Sequence, residues 1–342
     1  MSEITTFTAI EPTPANYFRS IVLFGRNVAS YKFTLAKALV TLAREARELV
    51  TLEDLAQPFA AELCDHLRLA PKQGTSSSSR FLDTCRAYND QKVEYSELIE
   101  ETVRLGFNNV LDAFHVVGPG EIPVRFFEDE RAHPRPGIRL TEAMYYLAEE
   151  LGSDLAHEAE ARWRLVETAW ELGTSKATIG YESETGALTA LSSPIRRRSV
   201  TSARHALNGY QRGRCFYCFR NIGIDSTSSA LADVDHVFPH VLQRLHVLGN
   251  LDGVWNLVLA CVTCNRGSAG KFDSTPHRQY VDRLHRRNEY LIASHHPLRE
   301  TLLMQSGADK KARRAFLQDA LDTARIHQVA TWQVEPLAPP TF

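Results

Sequence analysis

Two C-x-x-C pairs, Cys215/Cys218 in "RCFYCF" and Cys261/Cys264 in "ACVTCN", constrain this chain more than any other feature. They use four of its six cysteines. The N-terminus, "MSEITTFTAIEPTPANYF", has neither a basic start nor an apolar run, and no stretch approaches the roughly 20 apolar residues that span a bilayer. A cytoplasmic chain that stays out of the membrane is therefore expected, and in that setting paired cysteines argue for metal rather than disulfides. Two such pairs brought together by folding offer zinc four thiolates in a tetrahedron. Cys64, in the helical pattern "FAAELCDHL", and Cys85 stand alone and read as small buried apolar residues.

The segment between the pairs is longer than in a simple zinc ribbon, so it must carry structure of its own. It holds "DVDHVFPH" and then "GVWNLVLAC", the second a strand rich in β-branched and large apolar residues that runs into the second pair. The expected unit is knuckle, strand with Asp235-His236, loop, strand, then a knuckle leading into a short helix. At these residues the chain resembles an HNH endonuclease domain of the zinc-stapled ββα-metal type. Cys215-x-x-Cys218, "VDHVFP", Asn256 heading the second strand and "CVTCN" ending in Asn265 occur in that family's order. The resemblance covers residues 212–272, less than a fifth of the chain.

Phosphodiester hydrolysis needs a base for water and positive charge for the developing anion. His236 is the candidate base, because imidazole titrates near neutral pH. Asp235 neighbours it in a strand and so points to the opposite face. The resemblance implies that Asp235 and Asn265 hold the catalytic cation, Mg2+ or Mn2+ by the hardness of the oxygen donors, and that Asn256 orients His236 or braces the loop. It also implies structural Zn2+ on the four cysteines and single-metal hydrolysis leaving 5′-phosphate and 3′-hydroxyl ends. Arg214, Arg266 and Lys271 are the candidates for binding phosphate, with "RGSAG" stretching the spacing to the lysine. His240 reads as a surface residue first and a helper of the site second. "SHHPL" at 294–298 reads as a helix end rather than a metal site.

The rest of the chain sets these residues in context. Helical periodicity marks segments near 26–45, 51–67 (with Pro58 as a potential break) and 96–117 (breaking near Gly106). It also marks "LTEAMYYLAEELG", "EAEARWRLVETAWELG" and two basic helices after 277. Trp163 and Trp170 share a helix face and read as core. Short strands are expected in 122–127 and 138–140, and a hairpin turns near Thr185-Gly186. The fold class is mainly α with small β elements. Met1–Pro194 carries 19 Lys+Arg against 29 Asp+Glu, and Ile195–Phe342 carries 20 against 12. With the charge changing sign at "SSPIRRRSV", three segments are expected: an acidic, mostly helical domain over 1–194, a basic nuclease domain with C-terminal helices over 195–330, and a loose Pro-rich tail over 331–342.

A basic half containing the motif suits a polyanion. The leading expectation is an endonuclease acting on DNA, nicking one strand per site, in a restriction or phage-defence setting known only by analogy. RNA presents the same phosphate and stays open as the substrate. The other class is a non-catalytic zinc module that binds nucleic acid or protein. The acidic domain would meet a protein partner or restrain the nuclease, a homodimer would give double-strand breaks, and Arg283, Arg286 and Arg287 could line a DNA-facing stripe or a solvated surface.

Overall fold

The computed structural model describes residues 3–341 apart from 26, 27, 48, 77, 78, 119, 173–178, 194, 195, 295, 296, 328 and 329, with the backbone alone at 191–193, 196–198 and 297. His295 and His296 of "SHHPL" and the boundary at Pro194–Ile195 therefore lie outside the described residues, as do the side chains of Arg196–Arg198. The described chain is mainly helical with small, mostly antiparallel sheets. No helix among these residues is long and apolar enough to cross a membrane.

Contacts divide the chain into Pro12–Glu171 and a second unit made of Leu172–Phe342 with Met1–Glu11. The division falls ahead of the charge change at 194, because a three-stranded meander spans that point. Ile179–Glu182, Ala187–Ser193 and Arg196–Ser202 pair in order, with Ala187 opposite Ser202. The arginine-rich stretch at the expected boundary has a strand-paired backbone.

In the unit 12–171, the helix Leu52–Leu69 starts on a capping box. Thr51 Oγ1 accepts from the Asp54 amide at 3.1 Å, and Asp54 Oδ2 accepts from the Thr51 amide at 3.3 Å. This helix continues through Pro58. A helix-interior proline costs about 3 kcal/mol. Here the burial of Leu55, Ala56, Phe59, Ala60 and Leu63 on either side outweighs it. The third helical segment does break at Gly106, where a Cβ would sit 3.3–3.4 Å from Thr102, Phe59 and Phe81. The strand expected at 138–140 is Gly137–Leu140, whereas the one expected at 122–127 comes later, at Phe127–Glu130, and Val50–Thr51 joins on the far edge. That edge passes so close to Gly137 that a Cβ there would meet the Val50 carbonyl oxygen at 2.2 Å.

This core is aromatic. Phe33 stacks near Trp163, and Phe59 meets Phe81 and Phe107. Trp163, Cys64 and Cys85 are buried as expected, whereas Trp170, also read as core, is only partly buried. The buried Arg19 is paired: its Nε and Nη2 donate to the two Glu158 oxygens at 2.9 and 3.0 Å.

In the second unit, the helix Ala203–Gln211 leads into the first knuckle, and helices Arg278–Ala293, Pro297–Ser306 and Lys310–His327 follow the second. Two sequence expectations change here. The tail is not loose: Thr331–Trp332 pairs parallel with Thr275–Pro276, and the Leu337 amide donates to the Cys218 carbonyl at 2.8 Å. Trp332 anchors it, stacked against Tyr280 with centroids 5.7 Å apart and donating from Nε1 to the Ala269 carbonyl at 2.8 Å. The arginine stripe does not face outward as a set. Arg287 is fully buried with Nη2 on the Val254 and Trp255 carbonyls at 3.3 Å, and Arg283 lies against the first knuckle, leaving Arg286 exposed.

Candidate metal centre and histidine site

The first knuckle is a tight reversal. Arg212, Gly213 and Phe219 take positive φ of 59°, 71° and 61°, which turns the chain twice within ten residues. The Cys215 amide donates to the Arg220 carbonyl at 2.8 Å, and the Phe216 amide reaches the Leu259 carbonyl at 2.9 Å, tying the knuckle to the strand before the second pair. Arg283 donates to the Phe216 carbonyl, donates to the Tyr217 carbonyl at 2.9 Å and stacks 4.0 Å from the Phe219 ring. Burial pulls its guanidinium down to about 10.

In the second knuckle, the Cys261 carbonyl accepts from the amides of Cys264 and Asn265, both at 3.0 Å, as the helix Val262–Arg266 begins. All four cysteines are buried and their sulfurs lie within 4.8 Å of one another. A Zn–S bond of about 2.3 Å gives a tetrahedral S···S edge of about 3.8 Å. Cys218 Sγ and Cys261 Sγ are 3.8 Å apart. The thiols also compete for protons: hydrogen bonding with Cys215 brings Cys218 down to about 7, while hydrogen bonding with Cys218 pushes Cys215 up. A divalent ion would replace those protons, and the cluster is compatible with zinc.

Between the knuckles, Asp233–His236 and Leu257–Ala260 pair antiparallel, with His236 opposite Leu257 and Asp235 opposite Val258. The short helix Val262–Arg266 completes a β–β–α arrangement. Strand alternation separates the Asp-His pair as the period of two requires. Asp235 turns inward, where Tyr217 Oη donates to its Oδ2 and Lys271 Nζ lies 3.5 Å from its Oδ1. Burial, and then the Asp235 charge, push the Tyr217 phenol well up, so it stays a donor. Lys271 is fully buried and also donates to the His236 carbonyl at 2.9 Å and the Phe272 carbonyl at 3.1 Å. It braces the strand from inside, so the expectation that it meets phosphate is not matched by its position.

His236 turns the other way. Its Nε2 lies 3.0 Å from Asp252 Oδ1, and His240 Nε2 lies 2.8 Å from the same oxygen. The two imidazoles are perpendicular with centroids 4.4 Å apart, and the Tyr181 ring packs edge-on at 5.8 Å. Burial first, and then the neighbouring His240, hold His236 below the usual histidine range. Its side chain is 15% exposed, against 38% for His240 and 36% for Asp252.

Asn256 is fully buried and braces this loop. Its Oδ1 accepts from the Phe238 amide at 2.8 Å, and its Nδ2 donates to the Phe238 carbonyl at 2.9 Å and the Leu251 carbonyl at 3.0 Å. Of the two expected roles, bracing is the one its contacts show. Asn265 Nδ2 donates to Asp233 Oδ2 at 3.0 Å, and Arg266 Nε donates to the same oxygen at 2.8 Å. Arg266 remains 62% exposed, and Arg214 is half-buried near Glu11.

The structure thus joins the four cysteines, sets His236 beside His240 and Asp252, and commits Asp235 and Asn265 to separate partners. Sequence reasoning did not single out Asp252. Its one signal is the Asn250–Gly253 turn just before the second strand, closed by the Gly253 amide on the Asn250 carbonyl at 3.0 Å. No protein-family model, curated protein or solved structure matches the chain.

Proposed function

We propose that the chain is an endonuclease of the HNH type that hydrolyses DNA phosphodiester bonds, one strand per event, with His236 as general base. The observation that supports this most is the placement of His236. It ends a strand stapled to a four-cysteine cluster, and its backbone is held by Lys271 while its imidazole turns to a partly exposed edge. Kept neutral by burial and by His240, that imidazole has the lone pair a base needs. Arg266, exposed beside the second knuckle, supplies positive charge for a phosphate, and Arg214 is the further candidate on the first knuckle. The resemblance assigns a catalytic Mg2+ or Mn2+ to Asp235 and Asn265. As it stands, the buried Asp235 carboxylate does not fit such an ion, because it faces the Lys271 ammonium, whereas Asn265 bonds Asp233 through Nδ2 and not through the Oδ1 that would ligate. The setting in restriction or phage defence, and the DNA partner itself, belong to the same proposal.

A second reading is favoured by that same pairing of Asp235. A zinc-stapled module that binds nucleic acid or protein without cutting has no need of a free cation site. Incubation of the protein with supercoiled plasmid and, separately, with structured RNA, each with Mg2+ or Mn2+, separates the readings. Open-circular DNA supports the DNA nuclease, cleavage of RNA alone moves the substrate to RNA, and retarded but intact nucleic acid supports the module.

A further inference from the structure

We propose that His236, His240 and Asp252 form a second metal site, one that takes a zinc-class transition ion. Two imidazole nitrogens and a carboxylate oxygen converge, all within 4.8 Å of one another, well away from hard-oxygen-only chemistry. Zinc with nitrogen and oxygen ligands at about 2.0–2.1 Å needs ligand separations of about 3.3 Å. The observed 3.0 and 2.8 Å reach that value if the carboxylate withdraws by a few tenths of an ångström. His240 and Asp252 are each more than a third exposed, so the movement is cheap and an ion and water can enter.

The site is built rather than accidental. His236 ends a strand, His240 opens the short helix Val241–Arg244, and Asp252 sits in the turn before the second strand. Asn256 ties the last two segments together, because its one amide group bonds both Phe238, two residues before His240, and Leu251, the neighbour of Asp252. Buried hydrogen bonds of this kind hold ligand-bearing loops at fixed separation. Three protein ligands leave the remaining positions to water, the pattern of an open zinc site.

The consequence rests on the nuclease reading above. Nε2 of His236 faces a carboxylate oxygen, which only accepts, so in the neutral ring the free lone pair is on Nδ1. Once an ion takes Nε2, the ring proton sits on Nδ1 and no lone pair is left to accept a proton from water. Occupancy of this second site therefore switches off the proposed base while the four-cysteine zinc stays in place.

The test uses the full chain, dialysed to its tightly held metal and then titrated with Zn2+, with metal per chain counted by elemental analysis. Wild type takes two ions, whereas His240→Ala and Asp252→Asn keep only the cysteine-bound ion, whose retention shows that they are folded. Cobalt gives an independent readout, because the second ion adds ligand-field absorption without thiolate charge transfer. One ion in wild type, or two in both variants, overturns the site. On supercoiled plasmid, the second equivalent lowers wild-type nicking by about tenfold or more and leaves His240→Ala within about twofold of its own rate. Stimulation of wild type by that equivalent overturns the inhibitory role. Absence of nicking at every zinc level overturns the nuclease reading instead, and the metal count still decides the site.

Discussion

At the residue scale, two buried polar side chains govern the geometry around His236. Asn256 satisfies three backbone groups that have no water to turn to. Asn256→Ala leaves them unpaired, and we expect a loss of about 2–4 kcal/mol in urea unfolding. An unchanged midpoint would show that the loop does not depend on the brace. Lys271 and Asp235 form a buried pair whose members neutralise each other. Lys271→Met strands the carboxylate and should cost about 3–5 kcal/mol, whereas Lys271→Met with Asp235→Asn recovers most of it. A double variant no more stable than the single one would contradict the pairing. The brace by Asn256 was one of the two roles the resemblance implied, whereas the Lys271–Asp235 pair was not legible from the sequence. Asp235 and Lys271 lie 36 positions apart, and only strand alternation pointed Asp235 inward. His236 was legible because chemistry and motif agreed on it, while Asp252 was hidden in an ordinary turn.

At the element scale, the two knuckles hold a pair of four-residue strands that would be marginal alone. Stripping metal with a strong chelator should unfold this segment, with loss of the Phe216–Leu259 amide protection in hydrogen exchange and recovery on adding one equivalent of Zn2+. Full protection in the stripped protein would remove zinc from the account. The elements of this region were readable because spacing carries them: a C-x-x-C pair fixes a reversal, and a β-branched run fixes a strand. What spacing could not convey is tertiary override. The helix Leu52–Leu69 tolerates Pro58 because apolar burial surrounds it, and Arg196–Ser202 pairs as a strand where the change of charge suggested a domain boundary. Arg283 and Arg287 look like a solvent stripe in sequence, yet backbone carbonyls and aromatic rings receive them. The Pro-rich tail is held by a short strand pairing, the Leu337 amide on Cys218 and the Trp332 ring, contacts that no local pattern encodes.

At the scale of the whole molecule, charge follows the contact division. Residues 12–171 carry 18 Lys+Arg against 25 Asp+Glu, and the remaining residues carry 21 against 16. The acidic unit has its own ionic centre. His66 Nδ1 lies 2.6 Å from Glu167 and its Nε2 3.0 Å from Glu160, with its ring stacked 3.4 Å from Trp163, and Lys37 reaches Glu160 at 2.8 Å. Burial works against the His66 charge, but hydrogen bonds to Glu160 and Glu167 outweigh it and raise its pKa. Burial likewise works against Glu160, yet His66 and Lys37 hold its carboxyl below the usual range. A raised histidine stabilises fully below its unfolded value of about 6.5, and this stabilisation is lost as pH climbs through the folded value. A depressed glutamate stabilises above about 4.3, and this is lost as pH falls. Urea unfolding of the whole chain should therefore show the contribution of this centre greatest between those limits, and His66→Gln should flatten the alkaline fall. An alkaline limb unchanged in that variant would contradict the assignment. The central claim concerns the other unit, and one measurement reaches it: supercoiled plasmid with Mg2+ or Mn2+, cut by wild type and by His236→Ala, with zinc content and folding matched. The account predicts open-circular product from wild type and at least about a hundredfold less from the variant. Equal nicking by both, or none by either while zinc is retained, would contradict it.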